Sequence, residues 1–385
     1  MTVSRLQNIP GIGVDRIGDA ADSMSDASML RLENLDTDLR PPAAAIARTH
    51  EAIEDDAANS YLPFTGQTAL RAAAAERVGR SAGVHYDAAS ECIISAGGLA
   101  GIFNVLLSIL EPGDEVVLTD PTYAGLINRV HLAGGVPKFA RLQPGADGWR
   151  LDLDSLDAAI GPRTKALLIM SPSMPGGFVA SRDEWLAIAA HCERRGLWLV
   201  YDAAMERILY DGREVIHPAG LPGMRERTIT VGAVSKEYRM IGWRVGWIVG
   251  PAWIMHDVRL VSLSNVVCQV GIAMPGATAA LTASDDGVAG AVAEWERRRD
   301  FLMQALADLP VIRPHGGWSM LIDTRQLGLE PPEASKRLLE HGKIAATPMT
   351  NWGPEADRYL RFVFANEPVA RLHDIRDRVR RAWHL

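Results

Sequence analysis

The stretch Ser235-Lys236-Glu237-Tyr238-Arg239-Met240-Ile241-Gly242-Trp243-Arg244-Val245-Gly246 decides how the rest of the chain is read. Its lysine comes just after a short apolar run, and its arginine follows eight residues later, between Gly242 and Gly246. A lysine held in a crowded pocket loses its proton readily and then forms an imine with an aldehyde. Glycines around Arg244 let the backbone pass close to a ligand, while the guanidinium is shaped to grip a phosphate through two hydrogen bonds. Taken alone, a loop lysine is more often a solvated surface charge. The reading therefore depends on what the neighbouring segments supply.

Working outward, short apolar runs alternate with helical patterns. Strands are expected at 93–95, 115–119, 166–170, 198–201, 228–231 and 245–249, with amphipathic helices such as 99–110 and 182–195 between them. This alternation predicts an α/β fold, with a mostly parallel sheet covered by helices on both faces. A long polar-faced helix at 288–306 follows. Behind it come a strand at 319–322, a helix at 332–341, a strand at 359–364 and a last helix at 369–383. Residues 1–45 carry the breakers Pro10, Gly11, Gly13, Pro41 and Pro42 and read as an irregular arm, followed by a helix at 43–55. The expected division is the arm 1–45, belonging with the small domain, a large domain 46–285 and a small α+β domain 286–385.

Four further features bear on Lys236. Ser95-Ala96-Gly97-Gly98-Leu99 puts two glycines between a strand and a helix, where backbone N–H groups can approach an anion or simply form a tight turn. Tyr123, after the strand 115–119, either covers a flat ligand or packs in the core. Asp202 closes the apolar run 197–201, and the carboxyl ends of parallel strands line the ligand crevice. It is either a helix cap or a functional carboxylate. Arg361 is a lone charge in Tyr359-Leu360-Arg361-Phe362-Val363-Phe364. On a buried strand it needs an anion, either a substrate carboxylate or a structural ion-pair partner.

In this order and spacing the chain resembles the class I/II aminotransferases, the large pyridoxal-phosphate (PLP) family of fold type I, from about residue 30 to the end. Asn59-x-Tyr61-x-x-x-x-Gly66-x-x-x-Leu70-Arg71 is similar to the family's early signature. The resemblance implies that Tyr61 reaches the cofactor phosphate of a neighbouring subunit in a homodimer with shared active sites. It makes Gly98 and Leu99 the phosphate-contacting turn, Tyr123 the stacking aromatic and Asp202 the partner of the pyridine nitrogen. Lys236 becomes the Schiff-base lysine, Ser235 and Arg244 phosphate ligands, and Arg361 the receptor of the substrate α-carboxylate. Asn34, near the arm, either contacts that carboxylate or turns the chain. The implied activity is that of a PLP-dependent enzyme acting on an α-amino acid through an external aldimine, with Lys236 and Asp202 as the catalytic pair.

Departures from the family pattern are concentrated at the cofactor. An asparagine and a tyrosine usually face the phenolic oxygen. Here those positions are Met174, in Pro172-Ser173-Met174-Pro175-Gly176-Gly177, and Met205. A thioether donates no hydrogen bond and accepts poorly. Without those donors the resting imine keeps its proton to higher pH. The pocket is then either a repacked transaminase or one turned to another PLP reaction. For the second case the nearest likeness is to lincosamide-pathway enzymes that act on cysteine S-conjugates by β-elimination or oxidative decarboxylation. Ala233 stands where a phosphate-binding hydroxyl is common, and Leu99 contributes only its backbone N–H. No arginine stands out as a receptor for a second carboxylate, so a dicarboxylic substrate is not expected.

Composition excludes other classes. The chain of 385 residues is 48% hydrophobic and carries a formal charge of −7, the wrong sign for a general nucleic-acid or anionic-membrane binder. Neither a membrane span nor a signal core is apparent. Cys92, Cys192 and Cys268 are widely spaced, which predicts no disulfide framework and fits a reducing cytoplasm. No paired His/carboxylate spacing suggests a metal.

Overall fold

A computed structural model describes residue 3 and residues 6–385. Eight strands form one sheet in the order Cys92–Ser95, Gly246–Val249, Thr228–Ala233, Trp198–Asp202, Thr164–Met170, Glu115–Asp120, Val136–Gly145, Gly148–Leu151. The pairings from Thr228–Ala233 across to Val136–Gly145 are parallel, and those at the two edges are antiparallel. Every residue of the central strands is buried apart from Lys165, as expected where helices cover both faces. Their sequences are accordingly continuous β-branched and leucine runs rather than alternating ones. The covering helices are punctuated locally. Arg182–Arg195 starts on a capping box between Ser181 and Glu184 and stops at Gly196, which takes the left-handed conformation.

A second sheet orders Val311–Ile312, Ser319–Asp323, Tyr359–Val363 and Thr347–Pro348, all antiparallel. The N-terminal segment belongs with it. Leu30–Arg31 pairs in parallel with Ile344–Ala345, and the Val363 N–H donates to the Leu32 carbonyl at 2.9 Å. Helix Val288–Ala305 joins the two sheets. Trp295 on that helix packs edge-on to Trp318, with ring centroids 5.1 Å apart.

Three expectations need correction. Residues 1–45 are not uniformly irregular: Val14–Ser23 is a helix, started by Gly13 in a left-handed conformation. The breakers Gly11 and Gly13 mark a helix start, not a lack of structure. The edge hairpin Val136–Gly145/Gly148–Leu151 is an additional pair of strands, joined by the two-residue turn Ala146–Asp147 and followed by Gly148 with φ 97°. The expected last helix is split into Val369–Leu372 and Ile375–Trp383. Among the described residues, no helix is long and apolar enough to cross a membrane.

Candidate active site

The three adjacent parallel strands Thr164–Met170, Trp198–Asp202 and Thr228–Ala233 end in Met170, Asp202 and Ala233, and all three residues line one cavity of about 500 Å³. This is the crevice that the strand-end rule assigns to ligands. Gly98 and Leu99 enter it from the first turn of helix Gly98–Ile109, and Tyr123 from the turn after Glu115–Asp120. Ser235 and Lys236 lie two and three residues past the end of the last of the three strands. The second sheet contributes Arg361, and the N-terminal segment contributes Ile12, Val14, Asp15, Asn34 and Leu35.

Lys236 points its amine at a carbonyl oxygen and an aromatic face. Nζ donates to the Leu35 carbonyl at 3.0 Å and lies 4.8 Å from the Trp318 ring centroid. Burial pulls the amine down to about 8. Asp36 opposes the shift, while Arg361 and Arg244 add to it. Asp202 is buried at the end of its strand, and its Oδ1 accepts from the Ala204 N–H at 3.1 Å. Burial pushes its carboxyl up to about 6, held back by that hydrogen bond and by the charges of Arg129 and Lys236.

Arg361 is 1% exposed. Its Nη2 donates to the Glu33 carbonyl and, at 3.5 Å, to Thr347 Oγ1, and its Nη1 lies 3.6 Å from the Met174 sulfur. The guanidinium sits 4.8 Å from the Trp352 ring centroid, and its Nε has no partner. No carboxylate pairs with it among the described residues, so the structural ion pair that its sequence left open is not formed. Burial pulls this guanidinium down to about 10, against the pull of Tyr123 and Glu33. A buried cation with an orphaned N–H favours an incoming anion.

The turn before helix Gly98–Ile109 is built for close approach. Gly97 has φ 83°, and a Cβ there would lie 2.5 Å from the Arg244 guanidinium. A Cβ on Gly246 would meet the Gly97–Gly98 backbone at 2.7–2.9 Å. Arg244, itself left-handed, donates from Nη1 to the Ile241 carbonyl at 2.9 Å and to Ser235 Oγ at 3.3 Å. Open backbone N–H groups, a helix N-terminus and a guanidinium thus meet at one end of the cavity, which suits a phosphate. The ring of Tyr123 occupies space that a side chain on Gly125 would fill, and it lies 5.4 Å from Trp352. A phosphate seat, an aromatic face, a buried carboxylate and a low-pKa amine fit the chemistry of PLP.

Of the sequence candidates, Asn34, Gly98, Leu99, Tyr123, Met174, Asp202, Ser235, Lys236, Arg244 and Arg361 line this cavity. Two others do not reach it within one chain. Met205 is buried, with its methyl and sulfur closest to the space a Cβ on Gly317 would take. Tyr61 is 81% exposed. Sequence reading passed over Trp352, Asp15 and Arg129. Trp352 lies in a loop, and Asp15 lies in a short polar helix within the segment read as an irregular arm. Arg129 was in principle visible as a lone charge in the mostly apolar helix Ala124–Leu132. Its Nε donates to the Leu99 carbonyl and its Nη1 to the Gly125 carbonyl, both at 2.8 Å. It therefore braces the phosphate turn against the segment that carries Tyr123.

Comparison with known proteins gives one answer. The family model described as aminotransferase class I and II matches residues 30–379. The arginine–pyruvate transaminase of Pseudomonas aeruginosa is 33% identical over 316 residues, 80% of this chain and 79% of that protein. The aspartate/prephenate aminotransferase of Thermus thermophilus is 34% identical over 297 residues, 76% of each chain. The solved N-succinyldiaminopimelate aminotransferase of Mycobacterium tuberculosis superposes with a TM-score of 0.92 at 30% identity, covering 98% of this chain and 99% of that one. None of these relatives is a lincosamide-pathway enzyme, and that likeness has no support. By sequence, fold and the chemistry gathered at its strand ends, the chain belongs to the class I and II aminotransferase family of PLP-dependent enzymes acting on amino acids.

Proposed function

We propose that this chain holds PLP on Lys236 and uses it to move the amino group of an α-amino acid. One observation carries the reading. A buried carboxylate, a lysine pulled down to about 8 and a buried arginine with an unpartnered Nε converge on one cavity at the strand ends. When bound, the cofactor supplies an aldehyde for amines and a ring that draws electrons from a bond at Cα.

The residues divide the remaining work. Gly98 and Leu99 offer backbone N–H groups to the phosphate, with Ser235 Oγ and the Arg244 guanidinium beside them. Tyr123 would cover one face of the ring. Asp202 would partner the ring nitrogen and, as the anion, keep a proton there. Arg361 takes the substrate α-carboxylate and fixes the orientation of Cα, with Asn34 at the rim. With the cofactor bound, Lys236 Nζ would be placed to carry a proton to and from the substrate Cα, and an amine with a pKa near 8 suits that role. Met174 stands at a position that usually offers the phenolic oxygen a polar partner and would give it no hydrogen bond, and Met205, at the other such position, packs toward Gly317.

The same proposal includes a homodimer in which Tyr61 of one subunit reaches the phosphate of the other. Its support is the exposure of that ring and of Phe64, Trp253, Val267 and Val270 on one chain. It also places the protein in a reducing cytoplasm, supported by three unpaired cysteines.

Mixing the holoprotein with single amino acids tests the function. Conversion of the cofactor to its amine form, reversed by a keto acid, is the expected result. Release of ammonia, pyruvate or CO₂ without any need for a keto acid would overturn amino transfer.

A further inference from the structure

The charges lining the cavity are Lys236, Arg244 and Arg361, with Asp202 and Asp15 as the acids. In the reading above, the first four face the cofactor or the substrate α-carboxylate. Asp15 is left over. It lies in the first turn of helix Val14–Ser23 and is exposed at the cavity rim. The ion pair of that helix runs from Asp22 to Arg31, not through Asp15.

Its position is fixed relative to the substrate seat. Trp352 Nε1 donates to the Ile12 carbonyl at 3.2 Å, and the same indole lies beneath the Arg361 guanidinium. The segment that carries Asp15 is thereby pinned to the wall that holds Arg361. The same cavity is lined by the aliphatic and aromatic side chains of Ile12, Val14, Leu35 and Trp352. Such a wall suits the methylene stem of a long side chain, and a carboxylate beyond it suits a cationic head. Arg16, the adjacent cation, is not part of the lining, so among the described residues no cation beside Asp15 receives a second carboxylate.

We propose that Asp15 is a specificity-determining residue that selects α-amino acids whose long side chains end in a guanidinium or ammonium. The inference rests on the amino-acid reading of the site. Because Asp15 is exposed, its attraction is screened, and selectivity of roughly tenfold is the expected scale.

The test uses holoenzyme and paired substrates of like shape: L-arginine against L-citrulline, and L-lysine against L-norleucine. Consumption of each amino acid gives kcat and KM, and the change in cofactor absorbance on mixing gives the apparent Kd. The wild type is expected to favour the cation in each pair by about tenfold, mostly through KM and Kd, and less so at high salt. Asp15→Asn is expected to bring the ratio close to one, and Asp15→Lys to reverse it. Turnover with no preference for the cation, or a preference unchanged in Asp15→Asn, overturns the role of Asp15 and leaves the amino-transfer reading intact. Failure of every amino acid to alter the cofactor spectrum overturns that reading and this inference with it.

Discussion

Lys236 has a carbonyl oxygen and an indole face for company, and its burial, more than any neighbouring charge, explains why it sheds its proton early. For a base, a lowered pKa enlarges the neutral fraction below the ordinary value. With 8 in place of 10.5, about 300-fold more neutral amine is present at pH 7. The rate at which apoprotein takes up PLP is therefore expected to rise with pH to a midpoint near 8. A stopped-flow absorbance series would check this, and a midpoint above 10 would contradict the burial argument. Arg361→Gln removes a charge-assisted grip on the substrate. The expected outcome is a rise in KM of about 100-fold with a smaller fall in kcat, measured with the preferred amino acid. At this scale the sequence was legible wherever a cavity-lining residue sits at or just past a strand end or in a glycine turn, as with Asp202, Lys236 and Gly98. It was less so for Met205. Chain order puts that residue next to the site, but its side chain packs toward Gly317, and direction is decided by packing that no local pattern records.

The turn at Gly97 and Gly98 shows how one element sets the chemistry. Gly97→Ala introduces a Cβ at φ 83° and 2.5 Å from Arg244. PLP affinity is expected to fall at least tenfold while circular dichroism stays unchanged, with Kd read from fluorescence quenching. Arg129→Met removes two hydrogen bonds that brace the same turn and should weaken PLP binding about tenfold, without altering the substrate pairing at Arg361. Strands and helices of the large sheet were readable because burial on both faces makes strands continuously apolar and helices amphipathic. The edge hairpin after residue 136 was not, because it is half-exposed and mixes Pro137, Lys138 and Arg141 among its apolar positions. Helix Val14–Ser23 was obscured for a related reason: it is short and polar, and it is held partly by contacts with distant residues such as Ala345.

The whole molecule depends on a joint between its two sheets. Arg299, on helix Val288–Ala305, is fully buried and is gripped by Asp211 through both oxygens at 2.8 and 2.9 Å. The Arg299 and Arg313 guanidiniums hold the Asp211 carboxyl below the usual range, against its partial burial. A depressed carboxyl pKa contributes stability above the unfolded value and loses it as pH falls. Asp211→Ala leaves the buried cation with Glu296, Asp300, the Pro314 carbonyl and the Tyr210 ring beside it. It is expected to cost about 2–3 kcal/mol in urea denaturation of the holoprotein. The division into a large parallel sheet and a smaller antiparallel one was visible in the order of apolar runs. The placement of the N-terminal segment over the cavity was not, because it depends on contacts such as that between Ile12 and Trp352, far apart in the chain. All of these levels meet at one bond. Purified protein reduced with borohydride in the presence of PLP, then digested and sequenced by mass spectrometry, should carry the pyridoxyl group on Lys236. A modified lysine elsewhere, or none, would contradict the account.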